Sequence, residues 1–313
     1  MSGLHHSVTT AFGVSGIIRE KGYYKTMDGT RMIRKTKDGS DQVLARHQII
    51  EHCVQAGYPW MDQHHLSQSG KPCVFAEGEN YIMTDLIRYR EADFSDPKEF
   101  IKIIESVAKW HSCARGVPLT TSLCKGRPPT PLTEEFKAQG EALDAIRKRI
   151  RKQSKWSDFD VLFLKNYPGY REQIQRALKL LESTSYLKRC QKARQMGHIC
   201  HGGLKEDCIR IQTDRVYITK LDQASIDYQL IDLCGLIRRR EKRQKDLERS
   251  KILEAYDRIL LLEPEEEVII EAMLLYPLAF IKIVTEYYQK KRTWTPIAMI
   301  NKMKDILSNE GIT

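Results

Sequence analysis

Residues 198–222 read HICHGGLKEDCIRIQTDRVYITKLD, and this stretch decides the fold. A loop with two adjacent glycines, Gly202 and Gly203, leads into two short runs at 208–211 and 215–219. These runs are rich in β-branched and aromatic residues, which favour strands. The stretch therefore predicts a small β-hairpin, and the sequence on either side of it is helical in pattern.

Helices are predicted on both sides of this hairpin. Asp96 can cap a helix that Pro97 opens, and Glu99 would complete a capping box. Apolar residues then recur at helical spacing from Phe100 onward. After a proline-containing connection at 117–135, charged amphipathic patterns predict further helices, and apolar stripes predict more towards the C-terminus.

The first third of the chain predicts a small sheet with one helix against it. Its expected elements are, in order, a hairpin at 22–35 around Asp28-Gly29, a helix at 44–56 that stops at Gly57, and two strands at 72–75 and 81–84. An Asp-Gly pair between β-favouring runs is a strong hairpin signal. A glycine directly after a helical pattern is a common helix end.

The composition is that of a globular protein. The chain has 313 residues, of which 41% are hydrophobic, so it can bury a substantial core. Residues 1–16 show no basic region followed by an apolar run. No stretch approaches the roughly eighteen uninterrupted apolar residues of a bilayer span. We therefore expect synthesis in the cytoplasm and no membrane segment.

The eight cysteines are scattered and form no CxxC pair. Cys200 and His201 are adjacent, so in an extended segment their side chains point to opposite sides and do not readily share one metal ion. Without the close Cys/His spacing of a zinc site, the sequence predicts buried thiols and no metal centre.

The net charge of +10 is concentrated in two runs, Arg147–Lys152 and Arg238–Arg243. Such runs either bind phosphate-rich or acidic partners or form solvated helix faces. Neither run is interleaved with the aromatic residues that stack on bases. The sequence therefore favours solvated helix faces, and nucleic acid is not the expected partner.

Several short pieces, taken in order, resemble those of a known family. They are Gly57-Tyr58-Pro59, 81–84 through 90–94, 107–111, the Cys200-His201 loop, 231–233 with 237–239, and Tyr276-Pro277 with Tyr287-Tyr288 and Thr293-Trp294. Their order and spacing resemble the CotS-type bacterial spore coat proteins, within the protein-kinase-like superfamily of aminoglycoside and choline phosphotransferases. The likeness covers nearly the whole chain.

The resemblance implies an α+β, two-lobed protein-kinase-like fold of the aminoglycoside phosphotransferase type. It implies a small β-rich N-lobe at 1–86, a hinge near 84–87, and a large helical C-lobe at 87–313. Residues 198–222 would then be the catalytic-type loop region within the C-lobe. Asp232 is expected to hold this loop through backbone hydrogen bonds rather than to take part in chemistry.

In that family the catalytic loop has an Asp that orients and deprotonates the accepting hydroxyl and an Asn that holds magnesium. Gly203 stands here in place of the Asp, and Cys208 in place of the Asn. Lys220 stands in place of the metal-ligating Asp of the following segment. The resemblance therefore implies that no catalytic set is intact. The degenerate equivalents are His201, Gly203, Lys205, Cys208, Lys220 and Asp222.

The nucleotide-positioning residues of the N-lobe are less defined. The strand cation is either Arg34 or Lys35, which alternate faces along a strand. Its acidic helix partner is expected around 46–48, where no acid lies, although Glu51 is about one turn further on. Asp85, at the hinge, is the remaining candidate for contact with a nucleotide.

Two functions follow from these expectations. The first is a pseudokinase of the spore coat that acts in coat structure or assembly during sporulation, with other coat proteins as partners. It needs no metal and no cofactor, or binds ATP without magnesium through Lys205 and Lys220. The alternative is an active or residual small-molecule phosphotransferase, in which Asp207 or Asp222 supplies the missing carboxylate.

Overall fold

The computed structural model divides the chain into two compact units. It describes residues 2–14, 18–19, 23–26, 29–118, 131–243, 246–289 and 295–309. The first unit comprises Met1–Pro128 and Gln191–Leu261, and the second comprises Pro129–Cys190 and Leu262–Thr313. Some positions used in the sequence predictions lie outside the described residues, namely Gly22, Asp28, most of the 117–135 connection, and Thr293-Trp294.

The first unit contains an antiparallel sheet from the N-terminal part of the chain. Its strands are β1 (Ile18–Arg19), β2 (Tyr23–Thr26), β3 (Gly29–Thr36), β4 (His64–His65), β5 (Val74–Ala76) and β6 (Glu79–Asp85). Strand β3 pairs with β2 on one side and with β6 on the other, which confirms the predicted hairpin. Arg34 lies opposite Ile82 and Lys35 opposite Tyr81. Because side chains alternate along a strand, Arg34 and Lys35 leave β3 on opposite faces.

Three helices accompany this sheet, α1 (Ser2–Ala11), α2 (Ser40–Gln55) and α3 (Pro97–Cys113). Helix α2 ends before Gly57, whose φ of 100° confirms the predicted glycine stop. At α3, Asp96 accepts the N–H groups of Lys98 and Glu99 at 2.8 and 3.2 Å, as predicted. The other half of the predicted capping box, a hydrogen bond from the backbone N–H of Asp96 to the side chain of Glu99, is wrong. Glu99 instead pairs with Arg90, a charged partner that the capping pattern does not include.

The stretch at 198–222 forms the predicted hairpin. Its strands are β8 (Ile199–Cys200), β9 (Ile209–Gln212) and β10 (Arg215–Ile218), and they are followed by β11 (Ser225–Ile226). Strands β9 and β10 pair with each other through a turn at Thr213, whose φ is 53°. Strand β7 (Arg90–Glu91) adds to β9, and β11 pairs with β8. These last two pairings involve strands of two residues, too short for a sequence pattern to indicate.

Two helices complete the first unit, α7 (Leu230–Arg243) and α8 (Arg249–Asp257). Helix α8 packs against α3. The buried His111 of α3 faces α8, and its Nδ1 lies 2.8 Å from the hydroxyl of Tyr256 on that helix. Burial lowers the pKa of His111, so the ring is neutral inside this core.

The second unit is helical in its described residues. Its helices are α4 (Leu132–Arg151), α5 (Asp158–Glu182), α9 (Pro264–Leu275), α10 (Leu278–Tyr288) and α11 (Pro296–Asn309). Helix α6 (Tyr186–Gln195) runs from this unit into the first. Stacked aromatic rings form much of the core, with Tyr170 on Phe280 at a centroid distance of 3.7 Å. These helices confirm the predicted helical character of the region.

Within the described part of the chain, one segment is long and apolar enough to cross a membrane. This segment, Pro264–Tyr288, passes only by length and composition, and 56% of its most apolar window is buried. Pro277 divides it into α9 and α10. Core helices of soluble proteins pass the same test, so this is weak evidence for a span. The absence of a membrane segment stays a prediction.

A small antiparallel sheet together with a mostly helical remainder confirms the predicted α+β class. The predicted lobe boundary between residues 86 and 87 stays a prediction. The first unit contains the strands before this boundary, the residues from 87 to 128, and the later segment Gln191–Leu261. This grouping places the N-terminal sheet and the loop at 198–222 in one unit, where a site can be built from both.

Candidate functional site

The loop at His201 and Gly202 is held in place by Asp232 at the start of α7. Asp232 accepts the backbone N–H of His201 at 2.6 Å and that of Gly202 at 3.0 Å. Its Oδ2 also lies 3.3 Å from Nε2 of His111. The carboxylate is buried, so these contacts satisfy a charge that would otherwise be costly. The structural role predicted for Asp232 is confirmed.

His201 is part of the core beneath this loop. It is 1% exposed, and its Nε2 lies 2.9 Å from the carbonyl oxygen of Thr219. The ring of Trp110 packs against it edge-on at 6.2 Å. His201 therefore ties the loop to the end of β10 and presents no ring nitrogen to a reacting group at the surface.

Gly203 and Cys208 lie at the two ends of the catalytic-type loop. Oε1 of Gln223 would lie 2.5 Å from a side-chain carbon added at Gly203, so Gln223 occupies the space that an aspartate would use. Cys208 is 3% exposed and its Sγ lies 3.3 Å from Oδ1 of Asp207. Burial, reinforced by Asp207, raises the pKa of Cys208 to about 11. The group is a neutral thiol at neutral pH.

Lys220 forms an ion pair with Asp207 at the position where the resemblance places a metal ligand. The Nζ of Lys220 lies 2.8 Å from Oδ2 of Asp207, and that of Lys205 lies 3.2 Å from the same oxygen. The hydrogen bond from Lys220 is the largest cause that lowers the pKa of Asp207. Lys220 adopts a left-handed backbone conformation, with φ 60° and ψ 56°. Such strain in a non-glycine residue is common at functional sites.

Arg46 on α2 connects this loop to the N-terminal sheet. Its guanidinium pairs with Asp222 on one side and with Asp38 on the other, and its side chain is 13% exposed. Burial would raise the pKa of Asp38, but hydrogen bonds from Arg46 and Thr36 lower it overall. A cation thus stands on the helix where the resemblance leads one to expect an acid.

The two strand cations have different partners. Arg34 lies 3.9 Å from Asp62, beside Arg46 and Lys220, so it is the one that faces the loop. Lys35 pairs with Glu79 on the other face at 2.6 Å. Among the described residues, Glu51 forms an ion pair with neither cation. The structure therefore does not bring Lys35 and Glu51 to the candidate site.

Two histidines lie beside these charges. The rings of His47 and His64 stack at a centroid distance of 6.1 Å. Nδ1 of each is buried and has no hydrogen-bond partner among the described residues. Burial, together with His47, Arg34 and Arg46, lowers the pKa of His64 to about 3. The pair is neutral at physiological pH and adds no positive charge to the cluster.

Asp85 is the last residue of β6 and lies opposite Arg31 of β3. Its carboxylate lies 2.6 Å from Nε2 of His65 and 4.0 Å from Nε of Arg31. It also lines a pocket of about 130 Å³ together with Ile87, which belongs to the predicted hinge, and with Met61 and Tyr217, which do not. The structure thus places Asp85 next to a cavity but already in contact with a histidine.

The space between Arg34, Arg46 and Lys220 is much smaller. It measures about 20 Å³, which is room for about one water molecule. The charged residues that line it, together with their other ion-pair partners nearby, form a set that we call the ion-pair cluster. Its members are Arg34, Asp38, Arg46, Asp62, Lys205, Asp207, Lys220 and Asp222.

Sequence reasoning missed part of this site. Asp38, Asp62 and His64 were not identified, and Arg46 was noted only as the absence of an acid. The pair Arg46–Asp222 joins residues 176 positions apart, so no local pattern could indicate it. The available signal was charge reversal: a cation at a helix position that normally carries an acid suggests that an acid elsewhere has become its partner.

A family model matches the chain over residues 15–312, and its description is "Spore coat putative kinase YutH". A search of curated protein sequences finds no match. The recognition of a spore coat protein with kinase-like features is thereby confirmed over nearly the whole chain.

Solved structures show the same fold. An aminoglycoside phosphotransferase from Alicyclobacillus acidocaldarius has a TM-score of 0.79 at 14% identity, over 98% of this chain and 92% of that chain. A spectinomycin phosphotransferase in complex with ADP and spectinomycin has a TM-score of 0.59 at 11% identity, over 97% and 93%. An amicoumacin kinase has 0.59 at 12%, over 96% and 89%. At such identities the likeness shows the fold alone, and it confirms the predicted phosphotransferase-like fold.

Proposed function

This chain belongs to the spore coat kinase YutH family, and on that premise we propose that it is a catalytically degenerate kinase-like protein acting in spore coat structure or assembly. The family's name supports a location in the spore coat. We further propose that it is made in the cytoplasm and that its partners are other coat proteins. The pair of Lys220 with Asp207 is the observation that carries the loss of catalysis.

The charges of the ion-pair cluster do not fit a magnesium ion. Magnesium takes oxygen ligands in octahedral geometry, and carboxylates are its usual protein donors. Here Asp207 already pairs with both Lys220 and Lys205, and Asp222 pairs with Arg46. A divalent cation would have to displace ammonium or guanidinium groups that remain nearby and repel it. The described residues also contain no group of three His, Cys, Asp or Glu placed to hold a metal ion.

The size of the cluster supports the same proposal. The space between Arg34, Arg46 and Lys220 measures about 20 Å³, so a triphosphate could bind there only if the ion pairs around it opened. Binding ATP without magnesium would require Lys205 and Lys220 to exchange Asp207 for phosphate. We propose that the cluster holds the sheet, α2 and the loop together, and that no cofactor is needed.

The alternative is an active or residual phosphotransferase. Two carboxylates, Asp207 and Asp222, lie within two residues of the positions that the resemblance assigns to metal ligands, and this favours it. The candidate base is missing, because Gly203 has no side chain and Gln223 fills the space beside it. The thiol of Cys208, with its raised pKa, is a poor ligand for a hard cation. These observations favour the degenerate protein.

Nucleic-acid binding through the second basic run is not supported by the contacts of that run. Arg240 is fully buried, donates to the carbonyl oxygen of Phe94 at 2.6 Å and pairs with Asp246. Arg243 pairs with Glu206. Arg240 and Arg243 therefore act as structural cations, which leaves Arg239 and Lys242 as the exposed cations of the run that form no ion pair among the described residues.

Thermal unfolding with ATP, with and without magnesium, tests the proposal. A ligand at a hundred times its Kd stabilises by about 2.7 kcal/mol, or several degrees in Tm. We expect no magnesium-dependent shift. A magnesium-dependent rise in Tm would contradict the proposal and support the phosphotransferase.

A restored variant provides the positive arm of this test. Gly203→Asp, Cys208→Asn and Lys220→Asp return the acidic and amide groups, and Gln223→Ala makes room beside position 203. Calorimetry should show magnesium binding that the natural protein lacks. The control, Lys37→Asp with Lys71→Gln, changes net charge by the same amount on the surface. Equal magnesium binding by all three proteins would show that the site has been placed wrongly.

A further inference from the structure

The first basic run differs from the second in that none of its cations is buried, whereas Arg240 of the second run is fully buried. From Ala145 to Ser157 the sequence contains no acidic residue. The end of α4 and the connection after it carry five exposed cations, Lys148, Arg149, Arg151, Lys152 and Lys155. We call these five residues and Trp156 the basic patch.

The acids nearest in sequence have other partners. Asp144 accepts from Nε of Arg171 at 3.0 Å and from the hydroxyl of Tyr167. Asp160 accepts from Ser157 at 2.8 Å and from Tyr288 at 2.5 Å. Asp158 is exposed and follows the patch closely in sequence. Among the described residues, no cation of the patch forms an ion pair, and the guanidinium of Arg149 lies over the ring of Tyr288 at 5.2 Å.

Trp156 gives the patch an apolar centre. Its side chain is 52% exposed, and its Nε1 donates to the carbonyl oxygen of Ile150 at 3.0 Å. Because the one polar group of the ring is already bonded, the exposed part offers apolar surface in a fixed place. Val161, which is 51% exposed, is the fourth residue of α5. Trp156 directly precedes Ser157, the N-cap residue of that helix. These two positions commonly form an apolar pair at a helix start.

An exposed tryptophan close in sequence to exposed arginine and lysine residues resembles a protein-binding hot spot in composition. Trp and Arg are enriched among the residues that contribute most of the binding energy at protein interfaces. An acidic partner would reduce the repulsion between the like charges on this surface. A single indole is a poor platform for a nucleic-acid strand, which needs successive aromatic residues. The exposed face of α5 beyond Val161 carries Lys165 and Glu172, so it lacks the apolar stripe of a membrane-binding helix.

We propose that the basic patch is a docking site for an acidic protein segment that carries an apolar anchor residue. The carboxylates would pair with the five cations, and the anchor would cover Trp156 and Val161. This proposal depends on the proposed coat role in one respect, which is the expectation that the partner is a protein. The patch belongs to the second unit and the ion-pair cluster to the first, so the two proposals are tested at different residues.

Fluorescence anisotropy with labelled peptides tests this site in the full-length chain. The probes are a glutamate-rich peptide with interspersed leucine and phenylalanine, a polyglutamate peptide of equal charge, an oligothymidine, and vesicles of anionic phospholipid. The triple variant Arg151→Gln, Lys152→Gln and Lys155→Gln should weaken the first peptide by about tenfold, or about 1.4 kcal/mol. The control triple Lys37→Gln, Lys71→Gln and Lys98→Gln removes the same charge elsewhere and should change affinity by less than about twofold.

Trp156 separates anchored docking from plain charge attraction. Trp156→Ala should weaken the leucine-containing peptide at least about fivefold and leave polyglutamate binding unchanged, whereas Trp156→Phe should retain most of the affinity. Circular dichroism and Tm show whether each variant is folded. The proposal is overturned if the two triple variants weaken the peptide equally, or if Trp156→Ala has no effect. It is also overturned if oligothymidine or vesicles bind more tightly than the peptide, or if the peptide does not bind.

Nucleotide and magnesium measurements on the same variants keep the two proposals apart. Substitutions in the basic patch should leave the thermal response to ATP and magnesium unchanged. A magnesium-dependent shift with intact peptide binding would overturn the degenerate site alone. The restored variant has an unchanged basic patch, so it should still bind the peptide. If it does not, the basic patch and the ion-pair cluster are not independent sites.

Discussion

Nζ of Lys220 lies 2.8 Å from Oδ2 of Asp207, and the same oxygen lies 3.2 Å from Nζ of Lys205. Two ammonium groups therefore share one carboxylate at the place where the family resemblance leads one to expect a carboxylate and a metal ion. The positive charge that a metal would supply is carried here by the chain itself. The same principle extends through Arg46, which holds Asp38 and Asp222.

Replacing Asp207 by asparagine should lower the free energy of unfolding at neutral pH by up to about 1 kcal/mol, as expected for a partly exposed ion pair. The hydrogen bond from Lys220 lowers the pKa of Asp207 below its ordinary value of 3.8. The contribution of the carboxylate is therefore complete above pH 3.8 and is lost as the pH falls through the lower folded-state pKa. Urea unfolding should show the two proteins converging in strong acid. A difference that widens on acidification would contradict this assignment.

Asp232 should matter far more for stability than an exposed aspartate. Asp232→Ala leaves the N–H groups of His201 and Gly202 buried without acceptors, at a cost of about 1–3 kcal/mol each. Asp214→Ala is the matched control, because Asp214 pairs with Lys102 but its side chain is 91% exposed. The control should cost far less, because an exposed ion pair contributes little to stability. Similar losses in Tm for both variants would show that Asp232 does not hold the loop.

Arg46 and Asp222 should be energetically coupled across the 176 residues that separate them. A double-mutant cycle with Arg46→Gln and Asp222→Asn should give a coupling free energy of about 0.5–3 kcal/mol. Since the side chain of Arg46 is 13% exposed, salt should weaken this coupling less than that of the exposed pair Lys102–Asp214. Strictly additive effects of the two substitutions would mean that the pair contributes nothing to stability.

Sequence patterns predicted the elements of this fold whose cause is local. The hairpin at 209–218 follows from β-favouring runs around a turn, and the end of α2 follows from Gly57. The resemblance also predicts that Gly203 and Lys220 stand in place of acidic residues. The ion pairs near them were not predictable, because Asp38, Arg46 and Asp222 meet only after the sheet, α2 and the loop have packed together. Partners chosen by tertiary packing leave no periodic signal.

His64 should make the protein sensitive to mild acid. Burial comes first among the causes that lower its pKa to about 3, followed by the nearby His47, Arg34, Arg46 and His65. The unfolded chain takes up this proton near its ordinary pKa of 6.5, whereas the folded chain resists it. The stability that the neutral ring provides is therefore complete above pH 6.5 and is lost progressively as the pH falls towards 3. The loss is about 1.4 kcal/mol for each pH unit in that window.

Removing the imidazole at position 64 should reduce the slope of the unfolding free energy against pH by the equivalent of about one bound proton. His64→Gln should be less stable than the natural protein at neutral pH, because its amide is less well packed, and should lose less stability between pH 6 and pH 4. His198, whose pKa burial and Arg115 lower to about 4, contributes in the same direction in both proteins and so cancels in the comparison. His52→Gln controls for the loss of an imidazole elsewhere. Urea unfolding over this pH range measures the slope, and an unchanged slope in His64→Gln would show that the ring takes up its proton equally in the folded and unfolded chain.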